Sequence, residues 1–409
     1  MSVIYDIYKE GMDYEKNDDF LNAIKSYERV IDLVDNNVPW NNFPEDVFID
    51  KGRCLIMSEK NKAAANFFLN ETNFKIIDIL ILYKDLKRNL DEIIDIMIDK
   101  DVFFTNEYYQ DLEKEEKCIY KKIYLNSLDI LLQLYVEKSN NGEDVFVAHY
   151  TRKEIAELLL NTRDKKKFRL STLTASNDPR EGRIFLDYLN IKADEFIYDN
   201  IAFCACFTFN HDYLNQFRLY GKDKDEEGTG ISIVLNSNFF GINKYYSNGK
   251  YILDYLPLFR CLYFDIHTMK LISIGHGKDE DKDKINIIFE NVQKGLNELK
   301  EIIEENRNND LNEEMILNIT LLIRYLIKDS AFMPEQECRI LEVKNISTTN
   351  LEEISIDNNT IAIDYRYINE YVERIYFGPK TKRIDLFREK LYYYLRRKIP
   401  CEWSSHKLS

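Results

Sequence analysis

The sequence predicts an α+β protein in which an N-terminal helical domain precedes a mixed, mainly antiparallel α+β domain. Three observations lead to this class. Residues 1–138 carry helical spacing of apolar side chains and almost no strand pattern. The turn-forming stretch SNNGED then separates two apolar regions at residues 139–144. Beyond it, short strand-like segments alternate with helical ones. We therefore expect domains at residues 1–140 and 145–409.

The composition restricts the class of protein further. With 409 residues, of which 45% are hydrophobic, the chain is long enough for two or three cores. Its formal net charge of −15 argues against passive binding along a nucleic-acid backbone, although it leaves room for a local basic patch. No apolar run approaches the roughly 20 residues that a membrane helix needs. The first residues also lack the layout of a signal peptide. We expect a cytoplasmic protein that does not bind membranes.

The cysteines predict neither disulfides nor a metal site. The closest pair, Cys204 and Cys206, has one residue between its members, whereas a zinc knuckle has two. Both side chains would point to one face of a strand, which favours reduced thiols in a core. No cluster of histidines, cysteines and carboxylates has the spacing of a metal site, so no metal ligand is predicted.

Small and aromatic residues recur with the same spacing in the first helical segments. Small residues let two helices cross closely, and aromatic rings fill the space between them. The two matching sets are Gly11, Ala23 and Tyr27, and then Gly52, Ala64 and Phe68. The pattern resembles tetratricopeptide helix pairs, although the repeat is longer than the roughly 34 residues of that family. The resemblance implies a surface for a protein partner, and an ordinary helical bundle is the alternative.

Five motifs occur in a fixed order in the second region: VFVAHYT, SNDPREG, FTFNHDYLNQFRLYG, GTGISIVL and PEQECRI. Over roughly residues 145–380 the set resembles a bacterial domain-of-unknown-function family, marked by an Asn-Asp-Pro-x-Glu turn and a later Glu-x-Glu-x-Arg strand. That family has a tryptophan followed three residues later by a tyrosine, where this chain has Phe217 and Tyr220. The order of a strand histidine, a tyrosine and a late glutamate is also similar to that of ADP-ribosyltransferases, as is the opening strand, helix and strand.

The second resemblance implies NAD as substrate and gives roles to four residues. Glu337 would bond the ribose 2-hydroxyl, a contact that strengthens as the sugar gains oxocarbenium character. Glu335 would position or deprotonate the acceptor, since two like charges on one strand face raise one pKa. His149 would bond the other ribose, and Tyr220 would hold the nicotinamide ring.

The neighbours of these residues complete the candidate cleft. Arg180 would hold the pyrophosphate, because a guanidinium binds phosphate oxygens in pairs. The remaining candidates are Tyr150 and Thr151 on the cofactor side, and Asn177, Asp178, Glu181 and Arg339 along the cleft. Each has a purely structural alternative. Asp178 suits a helix N-cap before Pro179. Glu335 and Glu337 suit an exposed strand face on which they pair with Arg339 and a lysine.

Three functional hypotheses follow. The first is an ADP-ribosyltransferase-like or NAD-hydrolysing effector whose helical repeats recruit a target or sense a trigger, with a role in phage defence or toxin action. The second is a metal-dependent nuclease or hydrolase that uses Asp178, Glu181, Glu335 and Glu337. The third is a non-catalytic sensor or adaptor. The sequence does not identify the acceptor, protein or nucleic acid, nor the oligomeric state.

Overall fold

The computed structural model divides the chain into two compact units. The first unit comprises Met1–Glu113 with Ile242–Tyr255, and the second comprises Lys114–Gly241 with Leu256–Ser409. The structure describes residues 2–37, 46–70, 72, 74–100, 107–137, 145–163, 166–173, 180–191, 200–222, 226–247, 250–307, 311–345, 354–356 and 360–406. Elements are numbered along the whole chain.

This division differs from the boundary expected at residues 140–145. Helix α8 (Lys114–Leu134) belongs to the second unit because it packs along α12 (Lys282–Glu305). A hairpin of β5 (Ile242–Ser247) and β6 (Lys250–Tyr255) is instead grouped with the first unit. Relative to the expected boundary, helix α8 moves from the first unit to the second and the hairpin moves from the second unit to the first. Contacts define a compact unit, and they need not follow chain order.

Apart from that hairpin, the described part of the first unit is helical. Its helices are α1 (Ser2–Lys16), α2 (Phe20–Asn37), α3 (Val47–Met57), α4 (Asn61–Asn70), α5 (Ile76–Leu82), α6 (Asp91–Ile98) and α7 (Glu107–Asp111), with a 3-10 helix at Lys84–Asn89. Two glycines set the closest helix approaches. A Cβ on Gly11 would lie 2.5 Å from the ring of Tyr27, and a Cβ on Gly52 would lie 3.0 Å from Phe68 and 2.3 Å from the Tyr83 hydroxyl. The small and aromatic positions of the repeated pattern therefore pack against each other.

The second unit combines helices with most of the strands. Its helices, besides α8 and α12, are α9 (Lys153–Leu160), α10 (Ile184–Leu189), α11 (Leu214–Tyr220), α13 (Glu313–Ile319), α14 (Leu321–Arg324) and α15 (Ile384–Leu395), with 3-10 helices at Ser237–Phe239 and Ser330–Glu335. Its strands are β1 (Val147–Thr151), β2 (Arg169–Thr172), β3 (Asn200–Thr208), β4 (Ile231–Leu235), β7 (Leu258–Arg260), β8 (Leu262–Asp265), β9 (Lys270–Ile274), β10 (Ile327–Asp329), β11 (Glu337–Asn345), β12 (Ile354–Ile356), β13 (Ile361–Asp364), β14 (Val372–Phe377) and β15 (Cys401–Trp403). The α+β class predicted from the sequence is confirmed.

The main sheet of this unit is split beside β3. Its strand order is β12-β13-β2-β3-β1-β4-β14-β15, with β11 paired to both β3 and β7. Strand β11 pairs with β3 from residue 200 to residue 208 and so occupies one whole edge. Strands β2 and β1 share the other edge, β2 at Phe203 and Cys204 and β1 only at Thr208. Between them, the edge of β3 at residues 205–207 faces an opening in the sheet.

Side-chain alternation along β3 separates a core face from the opposite face. Phe203, Ala205 and Phe207 join the large apolar core, while Cys204 and Cys206 point to the other side with their sulfurs 3.9 Å apart. On β11, Cys338 and Ile340 likewise enter the core. This register puts Glu337 and Arg339 on the face of the sheet that carries the two thiols.

Three elements differ from the sequence-based expectation. The segment NEEMILNITLLIRYLIK at residues 312–328 reads as a helix from its sequence, but its end forms β10, which pairs in parallel with β8. The segment LFRCLYFDI forms two strands in different sheets. Helix α10 begins at Ile184 with Arg183 as N-cap, so Asp178 is not the cap. In each case a tertiary pairing or a turn interrupts the local pattern.

Candidate functional site

A cleft of about 650 Å³ lies where β1 and β2 separate along β3. Its floor is the free edge of β3. One wall is formed by β1, α9 and α11, and the other by β2 and the residues before it. The end of the 3-10 helix Ser330–Glu335 and the start of β11 complete the lining. His149, Tyr150, Tyr220, Glu335 and Glu337 all line this one cleft.

His149 closes the gap between the two strands through its side chain. Its Nδ1 lies 3.1 Å from the carbonyl oxygen of Cys206, at the place where β1 no longer pairs with β3. The ring packs edge-on against Phe168, with centroids 4.8 Å apart, and also contacts Phe207. Burial lowers the pKa of His149, so the imidazole is neutral near pH 7. The hydrogen bond fixes a proton on Nδ1 and leaves Nε2 as an acceptor.

The two glutamates of the EQE motif occupy a sharp turn between the 3-10 helix and β11. Gln336 between them has a left-handed backbone with φ of 47°, and its carbonyl accepts a hydrogen bond from the N–H of Phe209. The N–H of Glu337 donates to the Tyr263 hydroxyl at 2.7 Å. Both carboxylates are buried. The alternative of an exposed, solvated strand face is therefore wrong.

A buried ion-pair network, made up of Glu181, Lys328, Glu335, Glu337 and Arg339, holds these carboxylates. Lys328 Nζ contacts Glu335 Oε2 at 2.7 Å and also bonds Glu337 Oε2. Arg339 Nε donates to Glu337 Oε1 at 2.6 Å, and the same guanidinium pairs with Glu181. Three carboxylates face two cations, which leaves one net negative charge beside the cleft when all five are ionised.

The network gives the two glutamates different acidities. Burial by itself would raise the pKa of Glu337, but Arg339 and Lys328 outweigh it and hold that pKa well below the usual range. Burial raises the pKa of Glu335, and the neighbouring Glu337 adds to the rise while Lys328 opposes it. Glu337 is thus a permanent anion, whereas Glu335 is the carboxyl that takes up a proton more easily.

Tyr220 is the exposed aromatic residue of the cleft wall. It ends α11 and is 39% exposed, while Phe217 one turn earlier is fully buried against Tyr150. Burial of its hydroxyl raises the Tyr220 pKa, and the charge of Glu335 raises it further. The residue therefore presents a neutral ring to the cleft within electrostatic reach of Glu335.

The other predicted site residues lie in several places. Tyr150 has its hydroxyl fixed, since it donates to the Asn210 carbonyl and accepts from the Tyr213 N–H, each at 2.8 Å. Thr151 is buried and does not line the cleft. Arg180 is an exposed turn residue that does not line the cleft, so its position does not fit the predicted role as a pyrophosphate ligand. Asn177 and Asp178 lie outside the described residues.

Sequence reasoning anticipated Arg339 and a lysine beside the glutamates, but it did not identify Lys328 or the cations that line the cleft. Lys328 stood in a segment predicted as helix, and its contact with both glutamates arises only because β10 pairs with β8 next to Tyr263. Lys166, Lys167 and Arg169 line the cleft from the segment that leads into β2. The run of basic residues before Phe168 was a usable signal for Lys166 and Lys167, whereas Arg169 follows Phe168 as the first residue of β2. No local signal pointed to Lys328.

A larger cavity of about 1230 Å³ lies elsewhere in the second unit and contains none of the predicted site residues. It is lined by the α12 N-terminal region, by His211 and by the buried pair of Arg260 with Glu280, whose shortest contact is 2.6 Å. The described ranges contain no cluster of three or more metal-ligating side chains. They also contain no helix long and apolar enough to cross a membrane.

Comparison with known proteins gives no further assignment. No family model, no curated protein and no solved structure matches this chain. The geometry of the cleft is therefore the basis for assigning a function to this protein.

Proposed function

We propose that the second unit is an ADP-ribosyltransferase-like enzyme that binds NAD in the cleft and cleaves the bond between nicotinamide and ribose. One observation carries the proposal: His149, Tyr220, Glu335 and Glu337 line a single cleft although they come from four separate elements. The volume of about 650 Å³ is in the range of small-molecule sites. The residue types are also those that this reaction needs.

Glu337 is the residue that stabilises the sugar in this proposal. As the nicotinamide leaves with the bonding electron pair, positive charge develops on the ribose. A carboxylate that is always ionised lowers the energy of that state. Glu337 already accepts hydrogen bonds from Lys328, from Arg339 and from the Cys206 thiol. A carboxylate oxygen has a second lone pair, so the ribose hydroxyl can donate to the same group.

Glu335 is the proton acceptor for the incoming nucleophile. Its raised pKa brings it closer to neutral pH, which favours a general base. The neutral imidazole of His149 offers a hydrogen-bond acceptor to a second hydroxyl. The ring of Tyr220 offers a face for nicotinamide. Each group acts from the same cleft, as a reaction on one substrate requires.

The first unit is proposed to recruit a partner. The close packing of Gly11 on Tyr27 and of Gly52 on Phe68 is what a tetratricopeptide-like arrangement needs. A helical repeat unit joined to an NAD-cleaving unit suggests an effector of phage defence or a toxin, in which the repeats bind a protein target or trigger.

The two alternatives draw less support. A metal-dependent nuclease would need free carboxylates, but Glu335, Glu337 and Glu181 are paired with Lys328 and Arg339. A purely non-catalytic adaptor gives no reason for two carboxylates at one cleft whose pKa values shift in opposite directions, upward for Glu335 and downward for Glu337.

The test is release of nicotinamide from NAD by the full chain, with and without cell lysate, together with NAD binding measured by calorimetry. Glu335→Gln and Tyr220→Ala are the test variants, since both side chains line the cleft. Leu219→Ala is the matched control, because Leu219 is the exposed neighbour of Tyr220 on α11 and lies outside the cleft lining. We expect a loss of roughly 100-fold or more in turnover for Glu335→Gln, the usual contribution of a general base.

Tyr220→Ala should raise KM by about tenfold, while Tyr220→Phe should retain wild-type binding because it keeps the ring. Wild-type protein that neither binds nor cleaves NAD under any of these conditions would refute the proposal. Equal activity of Glu335→Gln and Leu219→Ala would remove Glu335 from the mechanism.

A further inference from the structure

A group of cations and an aromatic ring forms an exposed surface next to the cleft. We define this basic–aromatic patch as Arg163, Tyr393 and Arg396, together with Lys166 and Lys167, which follow Arg163 closely in the chain and line the cleft. The guanidinium carbon of Arg163 lies 4.7 Å from the centroid of the Tyr393 ring, and that of Arg396 lies 4.6 Å from the same centroid. Two arginines that are distant in sequence therefore share one tyrosine.

The fold fixes this arrangement. The segment after α9 is held against α15 because the Thr162 hydroxyl donates to the Tyr394 carbonyl at 3.1 Å. Helix α15 ends at Leu395, and Arg396 follows in a left-handed backbone conformation with φ of 55° that directs the chain away from the helix axis. The residue Tyr393 is 40% exposed, and Arg163 and Arg396 are exposed as well. The patch is thus a surface on which a tyrosine ring holds two exposed guanidinium groups.

Within the described ranges, no carboxylate forms an ion pair with the four cations of the patch. Nearby cations of the same unit behave differently, since Lys390 pairs with Glu157 at 2.7 Å and Arg374 pairs with Glu402 at 2.8 Å. The chain as a whole has a net charge of −15. A concentration of unpaired cations on such a protein therefore creates a local site for an anion.

We propose that the basic–aromatic patch binds single-stranded nucleic acid. Lys and Arg side chains bind the phosphates, and the guanidinium planes of Arg163 and Arg396, which are held on the Tyr393 ring, offer flat faces on which a base stacks. Both features are needed together in single-strand recognition. An anionic membrane would use the charges but would give no role to the ring held between Arg163 and Arg396.

The patch also leads into the cleft. Lys166 and Lys167 line the cleft together with Glu335. A strand that crosses the patch would bring one of its nucleotides to the proton-accepting carboxylate. The nucleic acid is then the acceptor of ADP-ribose. This role as acceptor rests on the proposed function, but the binding of nucleic acid by the patch is independent of it.

The experiment is fluorescence anisotropy of the full chain with labelled oligothymidylate and oligouridylate of about 20 nucleotides, longer than the roughly 4–16 nucleotides that such sites span. NAD is left out. We compare wild type, Arg163→Gln/Arg396→Gln and Tyr393→Leu. The control is Lys282→Gln/Lys294→Gln, which removes the same charge from exposed positions of α12. Circular dichroism verifies that each variant is folded.

We expect saturable binding that weakens steeply with salt, as phosphate contacts require. The double arginine variant should bind at least tenfold more weakly and show a salt slope smaller by about 1–2. Tyr393→Leu should lose affinity with an unchanged salt slope, because it removes the ring that holds the two guanidinium groups but removes no charge. The control should bind like wild type.

Two results would overturn the inference: no saturable binding to either oligonucleotide, or equal affinity of the double arginine variant and the control. Binding of anionic phosphatidylserine vesicles without binding of either oligonucleotide would assign the patch to membranes and overturn it as well. Failure of the proposed function can be told apart from failure of this inference. If the protein does not cleave NAD but binds oligonucleotides through Arg163 and Arg396, the patch remains a nucleic-acid site and the role of the nucleic acid as ADP-ribose acceptor is refuted.

Discussion

Replacing Lys328 by methionine tests whether the ion-pair network holds the cleft together. Lys328 is 4% exposed, and its Nζ lies 2.7 Å from Glu335 Oε2. At an effective permittivity of about 20, a pair at this distance gains roughly 6 kcal/mol in Coulomb energy. Desolvation of the ammonium offsets part of that gain. Removing one partner of a buried pair typically destabilises a protein by about 3–5 kcal/mol, and we expect this loss for Lys328→Met.

The assay is urea unfolding followed by the fluorescence of Trp403, which packs on Phe377 in the second unit. The other tryptophan, Trp40, is changed to phenylalanine in every variant so that Trp403 alone reports. Lys294→Met is the control, because this lysine is exposed and pairs with Glu298 only at 3.6 Å. It should change the free energy of unfolding by less than about 0.5 kcal/mol.

The pH dependence of the loss follows from Glu335. Its pKa is already raised in the folded protein. Without Lys328, the cation that favours the ionised form is gone, so the pKa rises further. Ionised Glu335 then destabilises the folded state at pH values above that pKa, and protonation relieves the effect as the pH falls through it. The difference between Lys328→Met and wild type should therefore be larger at pH 7.5 than at pH 5.

A second substitution makes the reasoning refutable. Lys328→Met/Glu335→Gln removes the uncompensated charge as well and should regain more than half of the lost stability. A loss below about 1 kcal/mol for Lys328→Met, or no recovery in the double variant, would show that the network does not stabilise the fold in this way.

Three further predictions concern single contacts. Gly52→Ala should destabilise the first unit by about 1–2 kcal/mol in thermal unfolding, because the new Cβ would lie 2.3 Å from the Tyr83 hydroxyl. A gain in stability would mean that the higher helix propensity of alanine outweighs this clash. Burial raises the pKa of Asp50 to about 6, so the first unit should lose roughly 1 kcal/mol, after allowance for solvent screening, as the pH rises from about 4 to above 6. Asp50→Asn should abolish that pH dependence of stability. Tyr8→Phe should raise the Asp50 pKa measured by carbon NMR, because the Tyr8 hydroxyl donates to this carboxylate at 2.6 Å. A wild-type stability that does not change between these pH values would contradict the role given to Asp50. Tyr263→Phe should cost about 1–3 kcal/mol, since it leaves the first N–H of β11 without its buried acceptor; unchanged unfolding would indicate another partner for that group.

Much of the second unit could be predicted from local patterns. The alternation in IAFCACFTF predicts a strand with phenylalanines on one face and thiols on the other, and β3 has this arrangement. Strand β1, helix α9 and strand β2 follow the order read from the sequence. Periodicity and motif order were sufficient for these elements. The sequence did not determine whether His149, Tyr220 and Glu337 meet, and the structure places all three at one cleft.

The electrostatic character of the site could not be predicted in this way. The spacing predicted that Glu335 and Glu337 project together from a strand, either into a site or on an exposed face where they pair with Arg339 and a lysine. Glu335 instead ends a 3-10 helix, and both carboxylates are buried. In the structure, Lys328 reaches both carboxylates from a strand whose residues read as helix. The apolar run before it fits either helix or strand, and only its parallel pairing with β8 decides between them.

The sequence by itself determined the α+β class, the order of most strands and helices of the second unit, and the residues worth testing, because these depend on side-chain period and on short-range turn chemistry. The tertiary structure decided the division into units, the split of the sheet along β3, the burial of the two glutamates and the exclusion of Arg180 from the cleft. Each of these depends on contacts between residues far apart in the chain, for which one sequence carries no local signal.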